Sequence, residues 1–237
     1  MSQIANSINE IEFKSTNTQV FSSDGTYTPT TGMKYCVVEI VGGGGGGAGT
    51  QNTTASPYGD CGGGGGGGAY RRGTFSAAEI GASQAVTIGN GGGSGLGAAT
   101  GGTGGTTSFG ALMSAQGGSG GQNAIASLNF IGFGGGGGFF GSGGQVLISG
   151  GSGGIGSYSD AALGSQNPCV VSGYGAPAAT YSCVTPGGTT SALDTSISGL
   201  PGHQYGGGGA GARSNSSSLQ VQGGQGASGV CVITEFL

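Results

Sequence analysis

Runs of consecutive glycines recur along the chain, and they constrain its fold more than any other sequence feature. The longest runs span residues 42–47 and 62–68, and shorter ones span 134–138 and 206–209. Glycine supplies 64 of the 237 residues, whereas about 7% is usual. Ordering one residue's backbone costs about 1–2 kcal/mol, and glycine has no side chain to offset that cost. An ordered glycine run therefore depends on hydrogen bonds from neighbouring backbones.

Polyglycine-II helices lying side by side provide such bonds. This extended helix has three residues per turn and no internal hydrogen bonds, so its N–H and C=O groups point outward. A flexible linker would mix serine into the glycines, whereas these runs are pure and have apolar flanks. The sequence predicts that the runs pack as a lattice, with these scaffold glycines at their ends: Gly42, Gly47, Gly62, Gly68, Gly134, Gly138, Gly206 and Gly209.

Gly42, Gly44 and Gly47 match the dinucleotide-binding spacing G-x-G-x-x-G, but their surroundings do not fit it. That fingerprint requires the glycines to open a helix. Here "TQNTTASPYGD" follows, with a proline and no helical periodicity. No glycine run leads into Lys-Ser or Lys-Thr either, as a phosphate-binding loop requires. The glycines are therefore interpreted as structural.

Apolar segments between the runs predict strands. "MKYCVVEIV" (33–41) and the closing "GVCVITEFL" (229–237) resemble each other and are expected to lie in one sheet. "QVFSSDGTYTP" predicts a hairpin with its turn at Asp24–Gly25. Helical character is expected only in "NSINEIEF" near the start. The predicted fold is all-β: a jelly-roll-like β-sandwich with the glycine segments packed as a polyglycine-II bundle.

Charge is sparse, which excludes several classes of partner. Five Lys/Arg and nine Asp/Glu give a net charge of −4, so the chain is poorly suited to neutralise nucleic-acid phosphates. Low charge also slightly favours neutral ligands. No apolar stretch approaches the roughly 20 residues of a membrane span, and "MSQIANSINEIEFK" does not resemble a signal peptide. We expect synthesis in a cytoplasm, with no membrane insertion and no nucleic-acid partner.

The sequence does not favour an enzyme or a metal protein. There is one histidine, and no serine stands in G-x-S-x-G; no catalytic residues, metal or cofactor are predicted. Cys36 and Cys231 lie in strand-like segments and are expected to be buried free thiols. Cys169 and Cys183 flank a loop and are candidates for a disulfide, with separate thiols as the alternative. Arg71–Arg72 is expected to hydrogen-bond loop carbonyls, with an acidic sugar as the alternative partner.

Three exposed loops are predicted, at about residues 50–60, 122–133 and 157–205. Their Tyr, Ser, Gly and Asn content resembles that of antibody loops, in which aromatic residues supply contact area. Packing at the lattice edge is the alternative role for these aromatic residues. The receptor-binding candidates are Tyr58, Phe133, Tyr158, Tyr174, Tyr181, His203 and Tyr205.

The order of strands and runs resembles a known group. "VFSSDGTYTPTTGMKYCVVEIVGGGGGGAG", "CGGGGGGGAYRRGTFSAAEIGASQAVTIGNGG", "GGTGGTTSFGALMSAQGG" and "GASGVCVITEFL" are similar to the glycine-rich domains at the tips of bacteriophage tail fibres. The resemblance implies a β-sandwich with a polyglycine-II bundle, located in the virion at the fibre tip. It also implies an adhesin whose partners are the fibre shaft and a host outer-membrane protein or surface glycan.

Under this resemblance residues 20–237 form the glycine-rich domain, and residues 1–19 attach it to the fibre. Ile4, Ile8 and Ile11 are the candidate apolar contacts of that attachment. The protein is expected to be a homotrimer or to be bound to a trimeric fibre. The competing hypothesis is a structural fibre cap or trimerisation module that contacts no receptor.

Overall fold

A computed structural model describes residues 15–50, 60–123, 131–158, 170–171, 175–178, 185–187, 189–190, 196–214 and 220–237. The fold is all-β, as predicted, with several antiparallel sheets and none closed into a barrel. In chain order the elements are β1 (Thr16–Phe21), β2 (Gly25–Tyr27), β3 (Tyr35–Val41), β4 (Asp60–Cys61), β5 (Tyr70–Ser76), α1 (Ala77–Ile80), β6 (Gln84–Thr87), β7 (Thr107–Phe109), β8 (Met113–Ala115), β9 (Ile131–Gly132), β10 (Val146–Ile148), β11 (Gly156–Tyr158), β12 (Val170–Val171), β13 (Thr189–Thr190), β14 (Ser196–Ile197), β15 (Arg213–Ser214) and β16 (Val230–Phe236).

Two larger sheets form a β-sandwich. The first has the order β1-β16-β3-β5-β10, and the second has the order β2-β6-β7-β8. β3 and β16 pair along their whole length, from Tyr35 opposite Phe236 to Val41 opposite Val230. This confirms the predicted pairing of the two apolar segments.

The sandwich core lies between these sheets. Val38, Ile40 and Ile233 from the first sheet are fully buried, as are Tyr27 and Phe109 from the second. The rings of Tyr27 and Phe109 lie 5.6 Å apart between centroids in a tilted arrangement, which is one of the geometries that aromatic pairs favour. The buried β-branched and aromatic residues thus hold the two sheets together.

The hairpin predicted around Asp24–Gly25 is wrong, because its two arms join different sheets. β1 pairs with β16, whereas β2 pairs with β6. The Oδ1 atom of Asp24 accepts the N–H of Ile88 at 2.7 Å, so its side chain fixes the crossover instead of closing a hairpin. The predicted boundary between residues 1–19 and 20–237 falls inside β1, whose residues from Thr16 onward belong to the sandwich.

A short helix that the sequence did not predict follows β5. α1 begins with a capping box: the Ser76 hydroxyl accepts the N–H of Glu79, and the Glu79 carboxylate accepts the N–H of Ser76 at 2.7 Å. The pattern Ser-x-x-Glu is a readable start signal for a helix. Ile80 is the buried residue that anchors this turn in the core.

The glycine runs form a bundle held together by hydrogen bonds between the backbones of neighbouring segments. In residues 42–50, positions three apart donate to the same neighbour, and successive positions donate to different ones. The N–H groups of Gly42, Gly45 and Ala48 reach the oxygens of residues 69, 66 and 63, at 2.8–3.0 Å. The other two sets of three donate to segments 99–105 and 221–227. This threefold pattern is that of polyglycine II, as predicted.

Carbonyl groups of the same run accept bonds from three further segments. Gly92 and Gly95 donate to Gly44 and Gly47, and segments 118–121 and 209–212 donate in the same way. Three acceptor segments and three donor segments make six neighbours around residues 42–50. Each of the eight predicted scaffold glycines has a carbonyl oxygen of another segment only 1.8–2.6 Å from where a Cβ would stand. Backbones approach this closely only because the side chains are absent.

The bundle has two different ends. Segments leave the sandwich after β3, β6 and β8, and they return to it before β5, β7 and β16. At the end away from the sandwich, here called the far end, lie two small sheets with the orders β13-β12-β11-β9 and β14-β15-β4. The end that joins the sandwich is called the near end.

Candidate functional site

Turns and short strands that are distant from one another in the sequence lie together at the far end. Cys61 of β4 lies opposite Arg213 of β15, which in turn lies opposite Ile197 of β14. In the other small sheet, Ser157 of β11 lies between Ile131 and Val171. Parts of the chain as far apart as residues 60 and 214 thus meet at one face, each positioned by the glycine segment beside it.

Large apolar side chains are exposed at the far end. Phe133 is 59% exposed. Four further residues of this set are also exposed, in or next to far-end turns and strands: Leu96, Ile131, Ile155 and Ile197. Large exposed apolar residues that share one end of a molecule are candidates for an interaction surface.

The far end also contains a buried arginine. Arg213 is only 5% exposed, and its Nε and Nη1 atoms have no hydrogen-bond partner among the residues that the structure describes. Burial lowers the pKa of the guanidinium from its usual value, since desolvation disfavours the charged form. Arg213 is not among the site residues predicted from the sequence.

The predicted receptor-binding residues divide between the two ends. Phe133 lies at the far end, and the backbone of Tyr158 lies there in β11. His203 and Tyr205 instead lie at the near end, just before Gly206, which donates to the oxygen of Ser228. The other predicted residues lie outside the described part of the chain: Tyr58, Tyr174, Tyr181, the attachment residues Ile4, Ile8 and Ile11, and the disulfide candidates Cys169 and Cys183.

Tyr205 packs where the sandwich meets the bundle. It contacts the buried cluster of Val41, Tyr70, Ala178 and Val230. A cleft of about 430 Å³ lies beside it, with Ser22, Gln204 and Ser228 among its lining residues. The environment of Tyr205 is that of a residue packed at the edge of the lattice, which was the alternative to receptor binding for these aromatic residues.

Two parts of the range 157–205, which was predicted to be an exposed loop, lie inside the bundle. The N–H of Ala176 donates to the oxygen of Gly65 at 3.0 Å, and both Ala176 and Ala178 are fully buried. Segment 199–202 also lies in the bundle, with N–H groups of Gly199 and Gly202 bonded to oxygens of residues 222 and 225. These residues were predicted as loop because they contain alanine and proline and do not form a pure glycine run.

A second exposed apolar patch lies at the near end. β10 is an edge strand whose Val146, Leu147 and Ile148 are all exposed. Phe139, 57% exposed, and Phe140, 76% exposed, lie close to it in the chain. These five residues are called the β10 patch.

Arg71 holds the turn that leads into β10. Its Nη1 donates to the oxygen of Gly143 at 2.6 Å, and its Nη2 donates to the oxygen of Gly141 at 2.7 Å. The prediction that arginine here bonds loop carbonyls is confirmed for Arg71. This residue is therefore engaged in positioning the β10 patch.

The described thiols are buried and poorly ionised. Cys36, Cys61 and Cys231 are buried and form no disulfide, which confirms the prediction of buried free thiols for Cys36 and Cys231. Burial raises the pKa of Cys36 to about 11 and those of Cys61 and Cys231 to about 12. Because the thiolate is the nucleophilic form, these thiols are inert near neutral pH.

The glycine motif that matches a nucleotide-binding spacing is occupied by the bundle itself. The N–H groups of Gly42, Gly44 and Gly47 donate to residues 69, 227 and 224. They therefore have no N–H left for a phosphate. Among the described helices none is long and apolar enough to cross a membrane, and the described residues include no group of three or more His, Cys, Asp or Glu arranged to hold a metal ion.

Comparison with known proteins agrees with this architecture at the level of the family. No curated protein matches the chain. The model of a family described as a glycine-rich domain matches residues 17–235, a range that runs from β1 to β16 and includes both the sandwich and the bundle. The chain therefore belongs to the glycine-rich domain family.

Proposed function

We propose that the protein is a non-enzymatic adhesin at the tip of a bacteriophage tail fibre, and that its far end binds a receptor on the bacterial surface. The observation that carries the proposal is the group of exposed apolar residues displayed there, led by Phe133. The proposed receptor is an outer-membrane protein or a surface glycan. Localisation in the virion and attachment to a fibre shaft are parts of the same proposal.

The bundle is suited to this task because it fixes the position of the far-end turns. Each glycine run is bonded to several neighbours, so the turns between the runs start from fixed points. A preorganised surface loses less conformational entropy on binding, and affinity rises accordingly. Exposed aromatic and aliphatic residues on such a surface are typical anchors of an interface.

A second function is supported by the β10 patch, an exposed apolar edge at the near end. Exposed apolar edge strands readily pair with another chain. The corresponding proposal is a structural cap or trimerisation module, in which the β10 patch contacts the fibre or a second copy. The two functions use opposite ends and are therefore separable.

Two matched variants test the proposals. They are matched because Phe133 and Phe139 are the same residue type and have almost equal exposure, 59% and 57%. The first is Phe133→Ser at the far end and the second is Phe139→Ser at the near end. Binding of each purified protein to whole bacteria is measured beside its molar mass in solution. For the adhesin we expect Phe133→Ser to lose tenfold or more in affinity, about 1.4 kcal/mol, and Phe139→Ser to bind as the parent does.

The opposite pattern supports the cap. If no folded form binds bacteria, and Phe139→Ser alone changes the assembly state, the adhesin proposal fails. Thermal unfolding of both variants serves as the folding control, because replacing one exposed side chain is expected to change stability by less than about 0.5 kcal/mol.

A further inference from the structure

Polar atoms without partners gather at the far end of the bundle. Five buried side-chain atoms of the described residues lack a hydrogen-bond partner: Thr50 Oγ1, Arg71 Nε, Asn123 Oδ1, Arg213 Nε and Arg213 Nη1. All but Arg71 Nε are on residues at the far end. Buried polar atoms are nearly always paired, so such a concentration calls for a missing partner.

These far-end atoms belong to one layer of the structure. Ala212 donates its N–H to the oxygen of Ala48 at 2.9 Å, so the segments that contain these two residues are adjacent and parallel. Thr50 comes shortly after Ala48 in one segment, and Arg213 comes directly after Ala212 in the other. Arg213 lies opposite Cys61, and the next residue, Gly62, forms a bridge with Asn123. A cleft of about 130 Å³ next to this layer is lined by Ile197, the strand partner of Arg213 on its other side, and by neighbouring backbone that includes Gly199 and Gly211, but not by Arg213 itself.

The other basic residues of the chain are far from Arg213 in the sequence. The other basic residues are Lys14, Lys34, Arg71 and Arg72, all within the first 72 residues. Those of β5 lie in the sandwich. The described acid of the same small sheet, Asp60, accepts the N–H of Cys61 with its Oδ1 at 2.8 Å. Among the described residues, Arg213 is thus the single cationic group at the far end.

A buried guanidinium without an anion is costly, and an incoming anion removes that cost. Transferring a charged group from water is unfavourable unless the group is paired and hydrogen-bonded. Arginine offers a planar set of donors that matches carboxylate and phosphate oxygens in pairs. The unpartnered oxygens of Thr50 and Asn123 match hydroxyl groups, which are plentiful on saccharides.

From this arrangement we infer that Arg213 binds an anionic group, a carboxylate or a phosphate, carried by a saccharide of the bacterial surface. The inference rests on the proposed adhesin function and names the chemistry of its ligand. It replaces the expectation, drawn from overall charge, that neutral ligands are favoured. Arg213 is the anchoring residue, and the exposed apolar residues of the far end contact the remainder of the receptor.

Three probes with one sugar ring test the inference on the full chain: glucose, glucuronate and glucose 6-phosphate. Affinity is measured by NMR titration, which detects weak binding. We expect saturable binding of one or both anionic sugars and none of glucose. Glucuronate and glucose 6-phosphate distinguish an acidic sugar from a sugar phosphate as the natural source of the anion.

Arg213→Gln is compared with Arg72→Gln as its matched control. Both replacements remove one positive charge, but Arg72 is exposed and lies at the near end. Arg213→Gln is expected to weaken binding tenfold or more, as for loss of a charge-assisted hydrogen bond, and Arg72→Gln less than twofold. Arg213→Lys keeps the charge and is expected to retain part of the affinity.

Two results overturn the inference: no saturable binding of either anionic sugar by the folded parent, or equal binding by the parent and Arg213→Gln. If Arg213→Gln does not fold, the parent decides the question, because anion binding must shift the amide signals of Cys61 and Arg213 and not that of Arg72. A parent that adheres to bacteria but binds neither sugar leaves the adhesin standing without this site. A parent that binds the sugars but no bacteria leaves the site standing without the adhesin.

Discussion

Gly45 stands among three neighbouring backbones, and its missing side chain shows what the bundle requires of a residue. A Cβ at this position would lie 2.0 Å from the oxygen of Ser119. No flexible group is available to move, because the obstructing atoms belong to another glycine segment. Gly93 is on the bundle too, but a Cβ there would meet nothing within 4 Å.

We predict that Gly45→Ala lowers the free energy of unfolding by more than about 3 kcal/mol, at or beyond the upper range for overpacking. Gly93→Ala is expected to be neutral or to stabilise by up to about 1 kcal/mol, since alanine restricts the unfolded chain. Denaturant unfolding measures both variants. Equal effects of the two substitutions would contradict the packing of residues 42–50 described above.

Glu235 is a buried carboxylate that joins three parts of the sandwich. It accepts hydrogen bonds from the Tyr27 hydroxyl at 2.7 Å, the Thr30 N–H at 2.9 Å, the Thr30 hydroxyl at 2.5 Å and the Asn17 amide at 2.9 Å. Burial by itself raises the pKa of this carboxyl, but the hydrogen bonds from Thr30, Tyr27 and Asn17 outweigh burial and lower it below the usual value. The ionised form is thus the one that the fold favours.

Stability is therefore expected to depend on pH through Glu235. A carboxyl with a lowered pKa in the folded state stabilises the fold above its unfolded pKa of about 4.3, and this contribution is lost as the pH falls through the folded value. We predict that the thermal midpoint of the parent falls more steeply below pH 4 than that of Glu235→Gln. At pH 7 the variant is expected to be less stable by about 1–3 kcal/mol, because its amide presents a donor to Tyr27 and Thr30. Parallel pH profiles for the two proteins would disprove this role.

The candidate site was predictable only in part from its residues. Phe133 was predicted as an aromatic residue of a loop, directly before a glycine run, and it is exposed at the far end. Tyr205 carries the same sequence signal but packs against Val41 and Val230, since sequence does not tell at which end of the bundle a turn lies. Arg213 was missed because burial of a charged residue has no local signature; its isolation from the other basic residues was the available clue.

At the scale of the elements, the long apolar strands and the glycine runs were both predictable. Strands β3 and β16 can be recognised in the sequence from their apolar residues. The runs are predictable because only neighbouring backbones can offset the entropy of ordered glycine. Sheet membership was not: β1 and β2 are separated by three residues and join different sheets, a choice decided by contacts with strands far away in the sequence.

The threefold geometry of the runs makes their phase testable. Inserting one glycine between Gly65 and Gly66 turns the following residues by a third of a turn, so each N–H points to the wrong neighbour. Inserting three glycines restores the direction and lengthens the run by about 9 Å. We expect the single insertion to lower the thermal midpoint more than the triple insertion. A steady decrease with insertion length would mean that phase has no role in this run.

At the scale of the whole molecule, sandwich and bundle share their chain segments and should unfold together. β3 continues directly into residues 42–50, and residues 62–69 continue directly into β5. Cys231 reports on the sandwich and Cys61 on the far end, and both are buried thiols that form no disulfide. They serve as probes at the two extremes of the structure.

We predict that Cys61 and Cys231 become reactive at the same denaturant concentration. Alkylation followed by peptide mass spectrometry reads the two sites separately, whatever the state of Cys169 and Cys183. In the absence of denaturant both sites should react slowly, as their buried thiols have pKa values of about 12. Labelling of Cys61 well before Cys231 would show that the bundle opens independently of the sandwich.

The turn at Leu96–Ala99 illustrates a consequence of this arrangement for protein engineering. Here two glycine segments are connected by a tight turn, closed by the Ala99 N–H on the Leu96 oxygen at 3.2 Å, with Leu96 exposed. The bonds that align the segments are between backbones, so they do not depend on the sequence of the turn. A foreign peptide grafted between Gly97 and Ala98 would therefore be held at both ends by a frame that does not need to be redesigned for each insert.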